Sequence, residues 1–176
     1  GNFWALSGGW VLSEEKFLQN NSFLDFLKVN ASYGTAGNDR VDNFASLGLY
    51  QAGSLGDYAG SPGIYPSQPA NPTLGWEESA QFDFTLYATM FNNKLDVEAS
   101  VWNKRTTGLL LDVPIPYTTG YASYAQNAGV MRNRGIDLMI NSLNVQTSGF
   151  EWRTILNVGF LENEVLELPG ASEDNE

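Results

Sequence analysis

Two adjoining runs alternate apolar and polar residues for longer than strands of ordinary globular proteins do. Phe84, Leu86, Ala88 and Met90 fall on one face of the first, and Leu95, Val97, Ala99 and Val101 on one face of the second. Thr85, Thr89, Asp96, Glu98 and Ser100 take the opposite faces, and Asn92-Asn93 stands between the runs. A period of two is the signature of a β-strand, and Asn residues tolerate the backbone that a tight hairpin needs. The spacing therefore predicts a β-hairpin. The runs span residues 76–91 and 94–111, against about 5–6 residues for a typical strand. Such a hairpin has to hide its apolar face either in a protein core or in lipid.

The same period recurs along the chain and predicts six strands, at 3–12, 26–34, 76–91, 94–111, 129–146 and 150–165. Helix is scarce. Residues 13–18 predict one turn with Ser13 as N-cap, and 22–26 a second. Gly34 and Gly37 are expected at the turn where the second strand leaves the sheet, Asn71-Pro72 just before the third, and Pro114 and Pro116 where the fourth stops. Gly135 marks a bulge or a close backbone approach. The connections alternate in order. A compact link (13–25), a turn at Asn92-Asn93 and a turn at Thr147-Ser148-Gly149 are short; residues 35–73 and 113–128 are long. In an up-and-down meander this puts all short links at one end and all long ones at the other, as in outer-membrane barrels.

Composition narrows the functions. A net charge of −11 argues against nucleic acid, whose phosphates call for clustered Lys and Arg. The chain has no Cys and no His, so thiolate chemistry and histidine base catalysis are excluded. No phosphate-binding glycine loop is present, and no cofactor or metal is expected. Glu77-Glu78 and Asp96/Glu98 are imaginable as glycosidase pairs. However, neighbours on a strand point to opposite faces, and Asp96 and Glu98 have no positioned partner, so the sequence predicts no enzyme. No charged, then apolar, leader opens the chain, which predicts no signal peptide. No apolar run reaches the ~18 residues of a membrane helix, which leaves barrel strands of about 9–11 residues as the only membrane route.

Two readings of the strands compete. In a soluble β-sandwich or small barrel, such as a carbohydrate-binding module, the apolar faces meet in a dry core. In a membrane barrel they face lipid, and Asp83, Asp96 and Glu98 face a wet lumen. Charged residues make up 16% of the chain, below the roughly 25% of soluble domains. Trp10, Phe91, Phe150 and Trp152 gather beside the short links, where an interfacial girdle lies; ordinary core aromatics are the alternative. Six strands are fewer than the eight a membrane barrel needs to close, so the chain is expected to be a piece of a longer polypeptide.

Five segments, in order, carry a family resemblance. These are SGGWVLSEEKFL (7–18), LKVNASYGTAGND (27–39), NPTLGWEESAQFDFTL (71–86), FNNKLDVEASVWNKRTTGLLLDVPIP (91–116) and NAGVMRNRGIDLMI (127–140). Together they resemble the C-terminal half of the barrel of SusC/RagA-type TonB-dependent outer-membrane transporters of Bacteroidetes. The resemblance implies an all-β fold, with antiparallel up-and-down strands forming part of a large transmembrane β-barrel over residues 1–176. It also implies import of a glycan or peptide, with a SusD-like surface lipoprotein capping the barrel and TonB supplying energy. The family's plug domain, TonB-box segment and aromatic-ended terminal strand are not seen in this stretch. The long connections hold Tyr50, Tyr58, Tyr65, Tyr117, Tyr121 and Tyr124. These offer flat apolar area plus a hydroxyl to substrate or lipoprotein, or pack the loops together.

Overall fold

The computed structural model of the protein describes residues 1–19, 21–53, 56–57 and 59–169. Its centre is one antiparallel sheet of six strands, β1 (Ala5–Val11), β2 (Leu24–Asn38), β5 (Glu77–Met90), β6 (Leu95–Thr107), β9 (Val130–Gln146) and β10 (Glu151–Glu167), adjacent in that order. Strands next to each other along the chain are also next to each other in the sheet, the meander that the connection pattern predicts. Two small hairpins complete the fold: β3 (Leu49–Ala52) with β4 (Ile64–Gln68), and β7 (Leu110–Pro114) with β8 (Ser123–Asn127). Both stand in the long connections.

Register confirms the faces. Phe84, Leu86, Ala88 and Met90 oppose Val101, Ala99, Val97 and Leu95. In turn Val97, Ala99 and Val101 oppose Ile140, Leu138 and Ile136, and these oppose Leu156, Val158 and Phe160. On the other face, Asp96 accepts a hydrogen bond from Thr89 Oγ1 (3.0 Å), and Trp102 Nε1 donates to Asp137 Oδ2 (2.9 Å). At the β5–β6 turn Phe91, Asn92 and Asn93 all have positive φ. Asn93 N donates to Asp25 Oδ2 (3.0 Å), which ties the turn to the start of β2.

No core covers the apolar face. Among the described residues, the buried apolar side chains are Ala88 and Val130. The surface is 12793 Å², about half as much again as the ~8,500 Å² expected of a compact monomer of this mass. A soluble domain would have folded its apolar rows onto each other. Here they form one continuous sheet face, half-buried to exposed apart from Ala88, and β1 and β10 are open edges.

Several expectations are corrected. Residues 12–14 form a 3-10 turn whose N-cap is Val11 with no side-chain cap, so Ser13 does not cap a helix. In place of the turn expected at 22–26, β2 begins at Leu24. β2 does not leave the sheet at Gly34; it continues to Asn38, and Gly34 pairs with both Ala5 and Gln81. Gly37 is small because the stacked rings of Phe3 and Trp76 need the space over it: a Cβ there would meet the Phe3 ring. The fourth predicted strand divides at Gly108, whose φ is +64°. Leu110 and Leu111 then belong to β7, which pairs with β8 as far as Pro114.

Candidate functional site

The apolar face forms a belt with an aromatic margin at each end. Toward the short links the margin holds Trp10, Phe23, Phe91, Phe150 and Trp152, all exposed. Phe23 and Phe91 touch, with ring centroids 6.3 Å apart. Toward the long connections it holds Trp4, Tyr33, Phe82 and Phe160. Trp4 lies against Tyr33 at 5.5 Å, and Tyr33 opposes Phe82. The sequence points to the first margin; the second was missed, although Tyr33 and Phe82 sit on the predicted apolar faces.

The belt runs obliquely across the strands. Trp10 shares a register row with Val29, Leu86, Ala99, Leu138 and Val158. Trp152 lies six residues nearer the short turn than Val158, about 20 Å along the strand at ~3.3 Å per residue. Trp4, opposite Thr35, belongs to the row of Ala80, Arg105, Arg132 and Glu164, while Phe160 lies four residues short of Glu164, or about 13 Å. Crossing from β1 to β10 covers five inter-strand steps, about 24 Å. The two margins thus incline at roughly 30–40° to the rows, and the strands tilt by that angle from the belt's normal. Barrel strands in membranes tilt by about 35–45°. From Trp152 to Phe160 is eight residues, about 26 Å along the strand and roughly 20 Å across a tilted belt, close to the ~25 Å apolar band of such barrels.

The opposite face is polar. Asp83 accepts hydrogen bonds from Ser32 Oγ (3.3 Å) and Gln81 Nε2 (2.9 Å). Asp96 receives a longer one from Asn141 Nδ2 (3.4 Å) in addition to that from Thr89. Lys28, Asn30, Tyr87 and Glu98 line a trough beside them. Of the carboxylates considered as catalytic pairs, Asp96 and Glu98 are set in this polar wall, Glu77 is engaged elsewhere, and Glu78 stands on the opposite face of β5. Glu77 accepts from Leu110 N (2.9 Å) and from Asn38 Nδ2 (2.7 Å).

Beyond the belt, the two hairpins are tied down by side-chain amides, one buried and two half-buried. Asn71, 2% exposed, donates from Nδ2 to Ala125 O (2.7 Å) on β8, and its Oδ1 accepts from Thr73 N (3.1 Å) and Oγ1 (2.7 Å). Its own N–H reaches Ser46 O (3.0 Å) at the base of the β3–β4 connection. Asn127 donates to Gly75 O (2.9 Å) and Gly108 O (3.0 Å) and accepts from Gly75 N (2.6 Å). Gln68 Nε2 donates to the carbonyls of Phe44, Ala45 and Leu47. The β7–β8 hairpin continues the β6–β9 pair through two joints, Gly108 and Gly129, both at positive φ.

These hairpins carry the predicted tyrosines. Tyr50 lies on β3 and Tyr65 on β4, where Tyr50 opposes Pro66 and Tyr65 opposes Gln51, so the two rings project from opposite faces. Tyr124 lies on β8, Tyr117 in a 3-10 turn at the tip and Tyr121 just after it. Tyr50 and Tyr117 are exposed, and Tyr65, Tyr121 and Tyr124 are half-buried. Tyr58 lies outside the described residues. Among the described residues the ring pairs are Phe3–Trp76, Trp4–Tyr33 and Phe23–Phe91; none joins two of these tyrosines. The structure brings their hairpins to a common base at Asn71 and does not gather the rings into one cluster. The anchoring residues Asn71, Asn127 and Glu77 were not singled out as a set. As anchors they carry no sequence signal beyond their place inside the quoted family segments.

An inclined apolar belt with aromatic margins, a polar reverse face and long connections at one end define a segment of a transmembrane β-barrel. Residues 3–174 match the family described as TonB dependent receptor-like, beta-barrel. The chain belongs to this family, and it lies in the outer membrane as part of a SusC/RagA-type barrel. It is 40% identical over 99% of its length to TonB-dependent receptor P39 of Formosa agariphila, covering 16% of that protein. It is 30% identical over 99% of its length to TonB-dependent receptor SusC of Bacteroides thetaiotaomicron, covering 18% of it. Its fold superposes on the RagAB peptide importer in the open-open state with a TM-score of 0.84 and 31% identity, over 97% of this chain and 18% of that one. The chain thus spans less than a fifth of the length of the curated relatives it matches.

Proposed function

We propose that this chain is six consecutive strands of a larger barrel that imports a glycan or a peptide across the outer membrane. The observation that carries the reading is the oblique belt: its inclination matches strand tilt in a bilayer, and a water-soluble sheet has no reason to incline its apolar rows. The long-connection end then faces outward, and the β3–β4 and β7–β8 hairpins project from the cell. By likeness to SusC and RagAB, a SusD-like lipoprotein caps the barrel and TonB drives transport through parts of the polypeptide beyond these strands. Likeness to the RagAB peptide importer keeps peptides beside glycans as the substrate class. Tyr50, Tyr58, Tyr65, Tyr117, Tyr121 and Tyr124 are the candidate contacts for substrate or lipoprotein.

Mass spectrometry of fractionated source cells tests the reading. Peptides of this sequence are expected in an outer-membrane polypeptide several times larger than 19.3 kDa. Their recovery in a soluble chain of this size overturns it. Deleting the gene and comparing growth on polysaccharides with growth on peptide mixtures then identifies the substrate class.

A further inference from the structure

The belt ends abruptly on the β6–β9–β10 side. The last apolar row is Phe84, Val101, Ile136 and Phe160; the next is Phe82, Asn103, Arg134 and Glu162, and the one after it Ala80, Arg105, Arg132 and Glu164. Three guanidinium groups thus stand within two rows of exposed aliphatic and aromatic side chains, on the same face. Phe160, 70% exposed, and Ile136, 53% exposed, lie immediately below them. On β1 and β2 the same two register rows hold Trp4 and Tyr33, so the arginines are local to one part of the rim.

Their pairing is uneven. Arg134 holds Glu162 through both Nε (3.0 Å) and an Nη (2.8 Å), and Arg132 is paired with Glu164. Arg105 reaches Glu167 only at 3.9 Å, with both side chains more than half exposed. Among the described residues the buried Arg132 Nε has no partner. Arg105 and Arg132 are direct cross-strand partners, a placement of like charges that destabilises a sheet unless an anion lies between. Their carboxylate partners Glu162, Glu164 and Glu167 lie on β10, on one side of the cluster; on the other side Arg105 faces Ala80, and Glu78 stands one row further out on the same face. The half-exposed Arg105 guanidinium, held by a single 3.9 Å contact beside apolar surface, matches a phosphate attached to acyl chains, and charges at this height on a barrel's outer face cost little.

We infer that Arg105, Arg132 and Arg134 form a binding site for the phosphate group of an outer-leaflet lipid, whose acyl chains lie on Val101, Ile136 and Phe160. The inference rests on the membrane reading of the belt. If the intact polypeptide purifies from the soluble fraction without detergent, that reading has failed, independently of the site.

The test is native mass spectrometry of the intact polypeptide in detergent, with diphosphoryl lipid A as probe and the same lipid freed of phosphate as its control. Wild type is expected to retain lipid A through desalting. The triple variant Arg105→Gln/Arg132→Gln/Arg134→Gln is expected to lose it by roughly tenfold, as charge-assisted contacts to phosphate are removed; the dephosphorylated lipid should bind both alike. Lys94→Gln, at the opposite rim, should leave retention unchanged. If the triple variant fails to fold, Arg105→Gln alone, which breaks only the 3.9 Å contact, should still weaken retention. Equal retention by wild type and a folded variant overturns the site. Occupancy by inorganic phosphate without lipid retention overturns its assignment to lipid.

Discussion

Trp102 and Gly135 are direct partners across β6 and β9, and the indole lies where Gly135 has no side chain. A Cβ at that position would stand 2.8 Å from Trp102 Cε2 and Cζ2, and 2.7 Å from the carbonyl oxygen of Phe160. The glycine of the Asn-Arg-Gly-Ile-Asp segment is thus a seat for a flat ring on the polar wall, held in plane by Asp137. Of the two readings the sequence left open for it, close approach is the one observed; the register of β9 runs through it without a bulge.

Gly135→Ala is therefore expected to destabilise the barrel by about 1–3 kcal/mol, the usual range for overpacking. The heat-induced mobility shift of the intact barrel on gels measures it. Adding Trp102→Ala should restore only part of the loss, because the Phe160 carbonyl stays in place. Full restoration would show that the indole alone opposes a side chain here.

Asn71 is the second structural commitment. Asn71→Ala removes three side-chain hydrogen bonds and leaves the Ala125 carbonyl and Thr73 groups shielded without partners, at a cost of about 1–3 kcal/mol for each group so stranded. The sheet keeps its own ladder, so the loss should appear locally. Limited proteolysis of intact cells is expected to cut the variant within 39–76 or 108–129 at least several times faster than wild type, with the barrel still assembled. Unchanged cleavage would mean that Asn127 and Glu77 suffice to hold the hairpins.

How much of this was legible in the sequence depends on distance along the chain. The strands of the large sheet were, because alternation in β5, β6 and β9 is a property of neighbouring residues, and the ordering of short and long links is visible without coordinates. The division at Gly108 was not. Leu109, Leu110 and Leu111 extend the apolar run past the glycine, and only the pairing of Leu110 with Asn127 shows that they belong to another hairpin. The two small hairpins lack long alternation, and Pro66 and Pro114 within them read as breakers. The loop anchors were illegible for a different reason: Asn71 bonds a residue 54 positions away and Asn127 one 52 away. The polar face also weakens in β10, where Ile155 opposes Asn141 and Leu161 opposes Gly135, so β10 by itself does not tell its two faces apart.

Charge on the outer face should be tolerated by height. Leu138→Arg places a cation in the middle of the belt, where it is expected to cost about 2–4 kcal/mol, whereas Thr107→Arg adds one beyond the rim, opposite Glu78 and Val130, and should cost about 0–1 kcal/mol. Urea unfolding of the intact barrel in lipid vesicles separates the two. Equal costs would mean that the rows do not differ in depth, and the inclined belt would lose its meaning.

The tyrosines supply the last prediction. Tyr50 and Tyr117 are the exposed pair, one on each hairpin, and aromatic rings with a hydroxyl suit both sugar faces and peptides. Tyr65, Tyr121 and Tyr124 are half-buried, so their truncation mixes packing with contact. Tyr50→Ala/Tyr117→Ala is therefore the informative variant: it removes accessible rings and leaves the Asn71 base intact. Binding of the lipoprotein partner, followed by co-purification, or uptake of the substrate identified by growth, is expected to fall by roughly tenfold, a typical loss of one to two kcal/mol for aromatic contacts. If both are unchanged while Tyr65→Ala/Tyr124→Ala loosens the hairpins to protease, the tyrosines serve to pack the loops, and recognition lies on other surfaces of the barrel.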